Sequence, residues 1–115
     1  MLNKQFRIKD KKDYNELYKT GRRLYGKYIV VYIKSNELSY DRFGIVTSKK
    51  VGTAVVRNRI KRQIRAIIQT WHKEPGNEFK DVVIVAKRNI DESIYSMIQK
   101  DLIGVLRKAG LCLKI

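Results

Sequence analysis

Residues 49–65 form a basic segment whose pattern constrains the fold more than any other part of this chain. Seven of its seventeen residues are Lys or Arg, and no Asp or Glu occurs between residues 42 and 73. Apolar residues recur here at helical spacing, which predicts a helix from about Thr53 to His72 with one core-facing stripe. That stripe comprises Val56, Ile60, Ile64, Ile67, Ile68 and Trp71.

The other side of this predicted helix is a candidate binding surface. Arg57, Lys61 and Arg65 are four residues apart, and Arg62 lies beside them. Like charges at this spacing destabilise a helix by about 0.2–0.5 kcal/mol per pair, so the arrangement favours a polyanionic partner. Residues 49–50 add two lysines just before the helix N-terminus, where free amides also attract anions. The alternative is an exposed helix that is basic without a partner.

The net charge of +15 over 115 residues indicates the same class of partner. A compact domain with this charge repels itself, and a nucleic-acid backbone is the commonest compensating polyanion, with a membrane surface as the second candidate. The sequence has no long apolar window and no signal-peptide core. Its single cysteine, Cys112, cannot form an internal disulfide. We therefore expect a cytoplasmic protein that binds no membrane.

The remaining patterns predict one α+β domain over residues 1–115. A first helix is expected at residues 11–19, with Asp10 as its N-cap, Asp13 in a capping-box position and Gly21 as its C-terminal stop. Strands are expected at residues 28–33, 42–48 and 81–86, and residues 22–27 are a candidate for a further short strand.

The apolar run at residues 81–86 is typical of a central strand covered on both faces. A last helix is expected from about residues 91–92 to a point before Gly110. Its apolar stripe comprises Ile94, Ile98, Leu102, Val105 and Leu106.

Five of the seven tyrosines lie between residues 14 and 32. Tyr14 and Tyr18 share one face of the first helix, and Tyr28 and Tyr32 are expected to share one strand face, away from the core. Two interpretations remain open. The tyrosines, flanked by Lys and Arg, form a stacking platform for single-stranded nucleic acid, or they pack the helix onto the sheet with their hydroxyls in water.

The sequence offers little for catalysis by the protein itself. The eleven acidic residues are dispersed, and one His and one Cys cannot form a usual zinc site. No Gly-rich phosphate loop is present. His72 is predicted to be the last residue of the basic helix, favoured there by the helix dipole, rather than a catalytic base. We therefore expect the protein alone to bind neither metal nor cofactor.

Residues 48–62 closely resemble the Arg-Asn-Arg motif of the protein subunit of bacterial ribonuclease P. The resemblance covers nearly the whole chain, because residues similar to those of that family also occur outside the motif. They are Arg7-Ile8-Lys9, Tyr14, Tyr18, Gly21, Tyr32 and Ala86-Lys87-Arg88.

This resemblance implies an RNA-binding accessory subunit without an active site of its own. In the family, a catalytic RNA with bound Mg²⁺ removes the 5′ leader of precursor tRNA, while the protein binds the RNA and the leader and raises metal and substrate affinity. The implied partners are ribonuclease P RNA and precursor tRNA, with no obligate protein partner. The implied fold is an α-β-β-β-α-β-α sandwich like domain 2 of ribosomal protein S5. Its βαβ crossover is left-handed, against the general rule.

The resemblance also implies two sets of binding residues. The set facing ribonuclease P RNA is Lys50, Arg57, Asn58, Arg59, Lys61, Arg62 and Arg65. The leader cleft is Tyr14, Tyr18 and Tyr32, with Lys49 at its edge. The chain departs from the family in having Tyr14 and Tyr18 where Phe is usual. It also reverses a polar–apolar pair as Val46-Thr47, which puts a polar leader contact from position 46 in question.

A small basic ribosomal protein with a structural rRNA-binding role is the alternative. It would explain the charge but neither the tyrosine pattern nor the length of the motif. An autonomous nuclease is disfavoured by the dispersed acids. A membrane-surface helix is disfavoured because the core requires the apolar stripe of residues 53–72.

Overall fold

The computed structural model describes residues 7–38, 40–69, 72–73, 79–109 and 113–114. Its helices and strands, in chain order, are α1 (Lys11–Thr20), β1 (Arg22–Tyr25), β2 (Ile29–Ser35), β3 (Arg42–Val46), α2 (Ala54–Gln69), β4 (His72–Lys73), β5 (Lys80–Ala86), α3 (Tyr95–Lys108) and β6 (Leu113–Lys114). Short 3₁₀ turns, Lys49–Val51 and Arg88–Glu92, precede α2 and α3. The predicted α+β class is confirmed, including the candidate strand β1.

The main sheet has the strand order β1-β2-β5-β3. Strands β1 and β2, and β2 and β5, pair antiparallel, whereas β3 and β5 pair parallel. A parallel pair requires a crossover, which α2 supplies here. Strands β4 and β6 form a separate two-residue antiparallel ladder, which the sequence patterns did not predict.

Both faces of the sheet are covered. On one face, α2 and α3 complete a large core cluster that includes Val82 and Ile84 of β5. On the other, α1 completes a smaller cluster of Ile8, Leu17 and Val83. Because successive residues of a strand point to opposite faces, β5 contributes to both clusters. The predicted doubly covered strand is confirmed.

Helix α1 ends where expected, but for a different reason. Gly21 donates its N–H to the Leu17 carbonyl (2.9 Å) with φ −73°, so it is not in the left-handed conformation common at helix ends. A Cβ at this position would lie 2.5 Å from the same carbonyl oxygen, and this close approach requires glycine. At the other end, the Asp10 side chain makes no capping bond to described residues. The Asp13 carboxylate contacts Arg42 instead.

Helix α2 begins after Thr53, whose Oγ1 accepts the N–H of Val56 at 3.4 Å. The predicted stripe is confirmed where it is described. Val56 packs against the core, and the fully enclosed members are Ile60, Ile64, Ile67 and Ile68. Trp71, like Cys112, lies outside the described residues.

The predicted end of α2 is wrong. The helix ends at Gln69, and His72 pairs with Lys114 in the β4–β6 ladder. Strand pairing requires an extended backbone, so His72 cannot be the last residue of the helix.

The predicted start of α3 is also wrong. Residues 91–92 belong to a 3₁₀ turn, and the Ser93 hydroxyl donates to the Ile90 carbonyl. Ser93 is then extended, with ψ 157°, which separates this turn from α3. Ile94 precedes α3 and is 63% exposed, so it is not part of the core stripe. The buried stripe consists of Ile98, Leu102, Val105 and Leu106.

The turn between β1 and β2 is fixed by a carboxylate from α3. Asp101 accepts the backbone N–H groups of Lys27 and Tyr28, both at 2.8 Å. A Cβ on Gly26 would lie 2.6 Å from the same carboxylate. Tyr28 belongs to this turn rather than to β2, and its side chain is buried in the larger cluster. The prediction that Tyr28 shares an exposed face with Tyr32 is therefore wrong.

Gly52, before α2, has φ +151°, a conformation that L side chains rarely adopt. We expect Gly52→Ala to lower the free energy of unfolding by about 1–3 kcal/mol, because alanine would be strained there. The matched control is Gly104→Ala in α3, where a Cβ would meet no atom within 4 Å. The control should be neutral or stabilise by about 0.5–1 kcal/mol. Denaturant unfolding checks both, and equal effects would contradict the assignment.

Candidate nucleic-acid interface

One exposed side of α2 forms a shallow basic groove. Its volume is about 430 Å³, and its lining residues are Asn58, Lys61, Arg62, Arg65, Ala66 and Gln69. The structure thus brings together four residues of the set predicted to face RNA. The buried isoleucines occupy the opposite side of the helix, so these polar groups are held in a fixed relation to the core.

The remaining members of this set lie around the N-terminal part of α2. Arg57 and Arg59 are half-buried, and neither lines the groove. The Nε of Arg57 is buried without a hydrogen-bond partner among the described residues. Lys50 is exposed in the 3₁₀ turn before the helix.

The charge on this side of α2 is not balanced within the described protein. Lys61, Arg62 and Arg65 form no ion pair with a described residue, since the ion pairs found there join other side chains. Positive charges without ion-pair partners on a rigid helix create a positive potential that attracts an anionic partner.

The predicted aromatic residues of α1 and β2 meet on the other side of the sheet. Tyr18 is 42% exposed, and its ring centroid lies 4.9 Å from that of Tyr32, in an edge-to-face arrangement, and 6.4 Å from that of Tyr14. Tyr14, Tyr18 and Tyr32 therefore form one aromatic cluster, of which Tyr18 is the most exposed member.

Tyr14 has a packing role within this cluster. Its hydroxyl donates to the Ile8 carbonyl at 3.2 Å. A Cβ on Gly44 of β3 would lie 2.5 Å from that hydroxyl, so glycine allows the ring to lie directly on the strand. The packing interpretation therefore fits Tyr14, as it fits the buried Tyr28, whereas the exposed ring of Tyr18 fits a stacking platform.

The surroundings of the aromatic cluster suit an anionic ligand. Burial raises the pKa of Tyr14, and burial together with the neighbouring tyrosines raises the pKa of Tyr18, so both phenols are neutral at pH 7. Neutral phenols do not repel phosphates. A groove of about 650 Å³ along α1 leads to Tyr18, and its lining is mostly basic or polar: Lys11, Lys12, Asn15, Glu16, Tyr18 and Lys19.

After β3, the chain leaves the sheet and enters the 3₁₀ turn that contains Lys49. Val46 packs against the α1-side cluster. Position 46 therefore presents an apolar side chain there, in agreement with the reversed Val46-Thr47 order. The Thr47 hydroxyl is buried without a hydrogen-bond partner among the described residues. Lys49 follows in the exposed 3₁₀ turn.

An ionic network that was not predicted holds α1 against the sheet. Arg42 of β3 contacts both carboxylate oxygens of Asp81 in β5, at 2.6 and 3.0 Å, and the Asp13 carboxylate of α1 at 3.4 Å. Asn36 also donates to Asp81, at 2.8 Å. The hydrogen bonds that Arg42 donates to Asp81 raise the pKa of Arg42 above its usual value, so its guanidinium group stays protonated. Residues far apart in the chain meet here, so no local sequence pattern reveals the network.

The described residues contain no group of three or more His, Cys, Asp or Glu side chains that could hold a metal ion. Among the same residues, no helix is both long and apolar enough to cross a membrane.

Comparison with known proteins identifies the family. The family model described as Ribonuclease P matches residues 2–110. The chain belongs to the ribonuclease P protein family. A similar relative is the ribonuclease P protein component of Syntrophomonas wolfei, which is 41% identical over 111 residues, or 96% of this chain and 92% of the relative.

Solved structures of this family have the same fold. A Staphylococcus aureus RNase P protein, a mutant with defective mRNA degradation activity, superposes with a TM-score of 0.84 at 32% identity, covering 95% of this chain and 92% of that one. The RNase P protein of Thermotoga maritima gives a TM-score of 0.77 at 27% identity, covering 89% and 96%. The α+β sandwich expected from the sequence resemblance is therefore confirmed.

The Arg42 network gives a stability prediction. We expect Arg42→Ala to lower the free energy of unfolding by about 1–3 kcal/mol, because it leaves the mostly buried Asp81 carboxylate without its bidentate partner. Lys34→Ala is the control, since the Lys34–Glu16 pair is largely exposed and should contribute little. Urea unfolding at pH 7 measures both. A loss for Lys34→Ala as large as that for Arg42→Ala would contradict the proposed importance of the network.

Proposed function

We propose that this protein is the RNA-binding accessory subunit of ribonuclease P. In this proposal it binds the catalytic RNA and the 5′ leader of precursor tRNA, and the RNA performs the hydrolysis. The observation that carries the proposal is the set of uncompensated cations on the rigid α2 groove. The family membership of the chain supports the choice of this RNA over other nucleic acids.

Two separate surfaces allow the protein to bind two RNA segments at once. The α2 groove faces away from the larger cluster, and the Tyr18–Tyr32 surface lies on the other face of the sheet. We assign ribonuclease P RNA to the first, with Lys50, Arg57, Asn58, Arg59, Lys61, Arg62 and Arg65 as its contacts. We assign the leader to the second, with Tyr14, Tyr18, Tyr32 and Lys49. Arginine suits the first role because its guanidinium group binds phosphate with two parallel hydrogen bonds.

Magnesium belongs to the RNA in this mechanism. Mg²⁺ prefers oxygen ligands such as carboxylates, and the described residues group no carboxylates suitably. The protein would raise substrate and metal affinity indirectly. Holding the leader and the RNA on one rigid body increases the effective concentration of each near the other.

A structural rRNA-binding protein remains the alternative function. It would use the basic helix but has no need for an exposed tyrosine on the α1 side of the sheet. The deciding experiment measures cleavage of a precursor tRNA at low Mg²⁺ by the protein, by ribonuclease P RNA, and by both together. We expect activity at low Mg²⁺ only in the mixture. No gain over RNA alone would favour the ribosomal alternative. Cleavage by the protein alone would place an active site on the protein.

Arg62 tests the RNA-facing groove. We expect Arg62→Glu to weaken binding of ribonuclease P RNA and to reduce the slope of log affinity against log salt by about one, because a phosphate contact is lost. Arg107→Glu on α3, where Arg107 is also exposed, carries the same charge change and should have a smaller effect. Equal losses for the two variants would mean that net charge, not the groove, determines binding.

Tyr18 tests the leader surface. We expect Tyr18→Ala in the holoenzyme to weaken binding of precursor tRNA by about 1–3 kcal/mol, the usual contribution of a stacked base, and to leave mature tRNA binding nearly unchanged. The control is Tyr95→Ala on α3, where the removed side chain is 36% exposed. Equal losses for precursor and mature tRNA would assign Tyr18 a structural role only.

A further inference from the structure

Strand β1 adds a further aromatic position to the sheet face that carries Tyr32. In the β1–β2 ladder, Arg23 is opposite Tyr32, and Tyr25 is opposite Val30. Leu24, between them, packs into the cluster on the other face, so Arg23 and Tyr25 lie on the Tyr32 face. Tyr25 is diagonal to Tyr32, at about 7–8 Å between backbones, a separation that aromatic side chains can bridge.

A row of apolar side chains connects the far edge of the sheet to Tyr25. Val46 pairs with Val85, Val85 with Val30, and Val30 with Tyr25. All three valines are only partly buried. The row therefore runs across all four strands, about 14 Å at the usual interstrand spacing. It begins beside the turn that carries Lys49 and ends at the β1 edge.

Tyr25 is exposed, and two cations lie over its ring. The side chain is 59% exposed. The Arg23 guanidinium carbon lies 5.2 Å from the ring centroid and the Lys87 ammonium nitrogen 5.9 Å, both within the range of cation–π contacts. Lys87 also donates to the Gly26 carbonyl at 2.6 Å, which anchors it beside the ring. Neither cation forms an ion pair with a described residue.

An exposed aromatic ring with two cations near it, at the end of an apolar row, suits a base and its phosphates. We propose that Tyr25, with Arg23 and Lys87, is a further leader-binding position, which takes a leader nucleotide farther from the cleavage site than Tyr18 and Tyr32 do. This inference rests on the proposed leader-binding function. In this proposal the leader runs from the β3 edge of the sheet to the β1 edge. Strand β3 leads into α2, the helix proposed to face the catalytic RNA, and β1 is the opposite edge.

The test uses the holoenzyme and precursor tRNAs whose leaders lengthen one nucleotide at a time. For wild-type protein, affinity should rise with leader length in two steps, the second when the leader reaches Tyr25. Tyr25→Ala should remove only the second step and weaken binding of long leaders about tenfold, which corresponds to about 1.4 kcal/mol and lies within the range for one stacked base. Tyr25→Phe should keep both steps, because the ring remains.

Two further variants separate the outcomes. Tyr18→Ala should weaken binding at shorter leader lengths than Tyr25→Ala does, and Tyr95→Ala should change neither step. If Tyr25→Ala has no effect at any length while Tyr18→Ala does, the Tyr25 position is refuted and the leader surface stands. If neither variant has an effect, the leader-binding function itself is refuted. An equal loss of affinity with Tyr25→Ala for every leader and for mature tRNA would also overturn the proposal. So would a fall in the melting temperature of the variant large enough to account for its loss of affinity.

Discussion

Strand β5 pairs with β2 along one edge and with β3 along the other, and its side chains are needed by the cores on both faces. The parallel pairing with β3 requires the chain to cross one face between the two strands. This crossover is α2, so the helix that carries five Lys and Arg side chains and no acidic residue is fixed to the sheet by its isoleucines. Helix α1 covers the opposite face, and the two surfaces proposed to bind RNA are thereby kept apart.

Ion pairs connect α1 to the sheet, whereas Lys61, Arg62 and Arg65 of the α2 groove lie on the other side of the sheet without ion-pair partners among the described residues. Arg42 pairs with the carboxylates of Asp13 and Asp81, and it lies between α1 and the sheet rather than on α2. The positions of Tyr14 and Tyr18 thus depend on electrostatic contacts that a change in the α2 cations leaves intact. If the two surfaces bind as proposed, leader binding and catalytic-RNA binding should therefore be separable by mutation.

Regular periodicity allowed much of this structure to be predicted from the sequence. The isoleucine stripe of α2 and the apolar run of β5 depend on local spacing, and both were correct. Two of the errors occurred where a distant segment determines the local structure. His72 is extended because it pairs with Lys114, and Tyr28 is buried in a turn held by Asp101. The Arg42–Asp81 pair and the row of valines that ends at Tyr25 likewise depend on strand register, which composition and spacing do not specify.

The contact between Asp101 and the β1–β2 turn has a consequence for synthesis on the ribosome. The turn is complete early in translation, yet the carboxylate that satisfies its two backbone N–H groups is added 74 and 73 residues later. Until α3 emerges and docks, the hairpin lacks that contact, and the exposed ring of Tyr25 is held by a less rigid turn. The nascent chain therefore completes the aromatic edge of its sheet only after α3 has been synthesised.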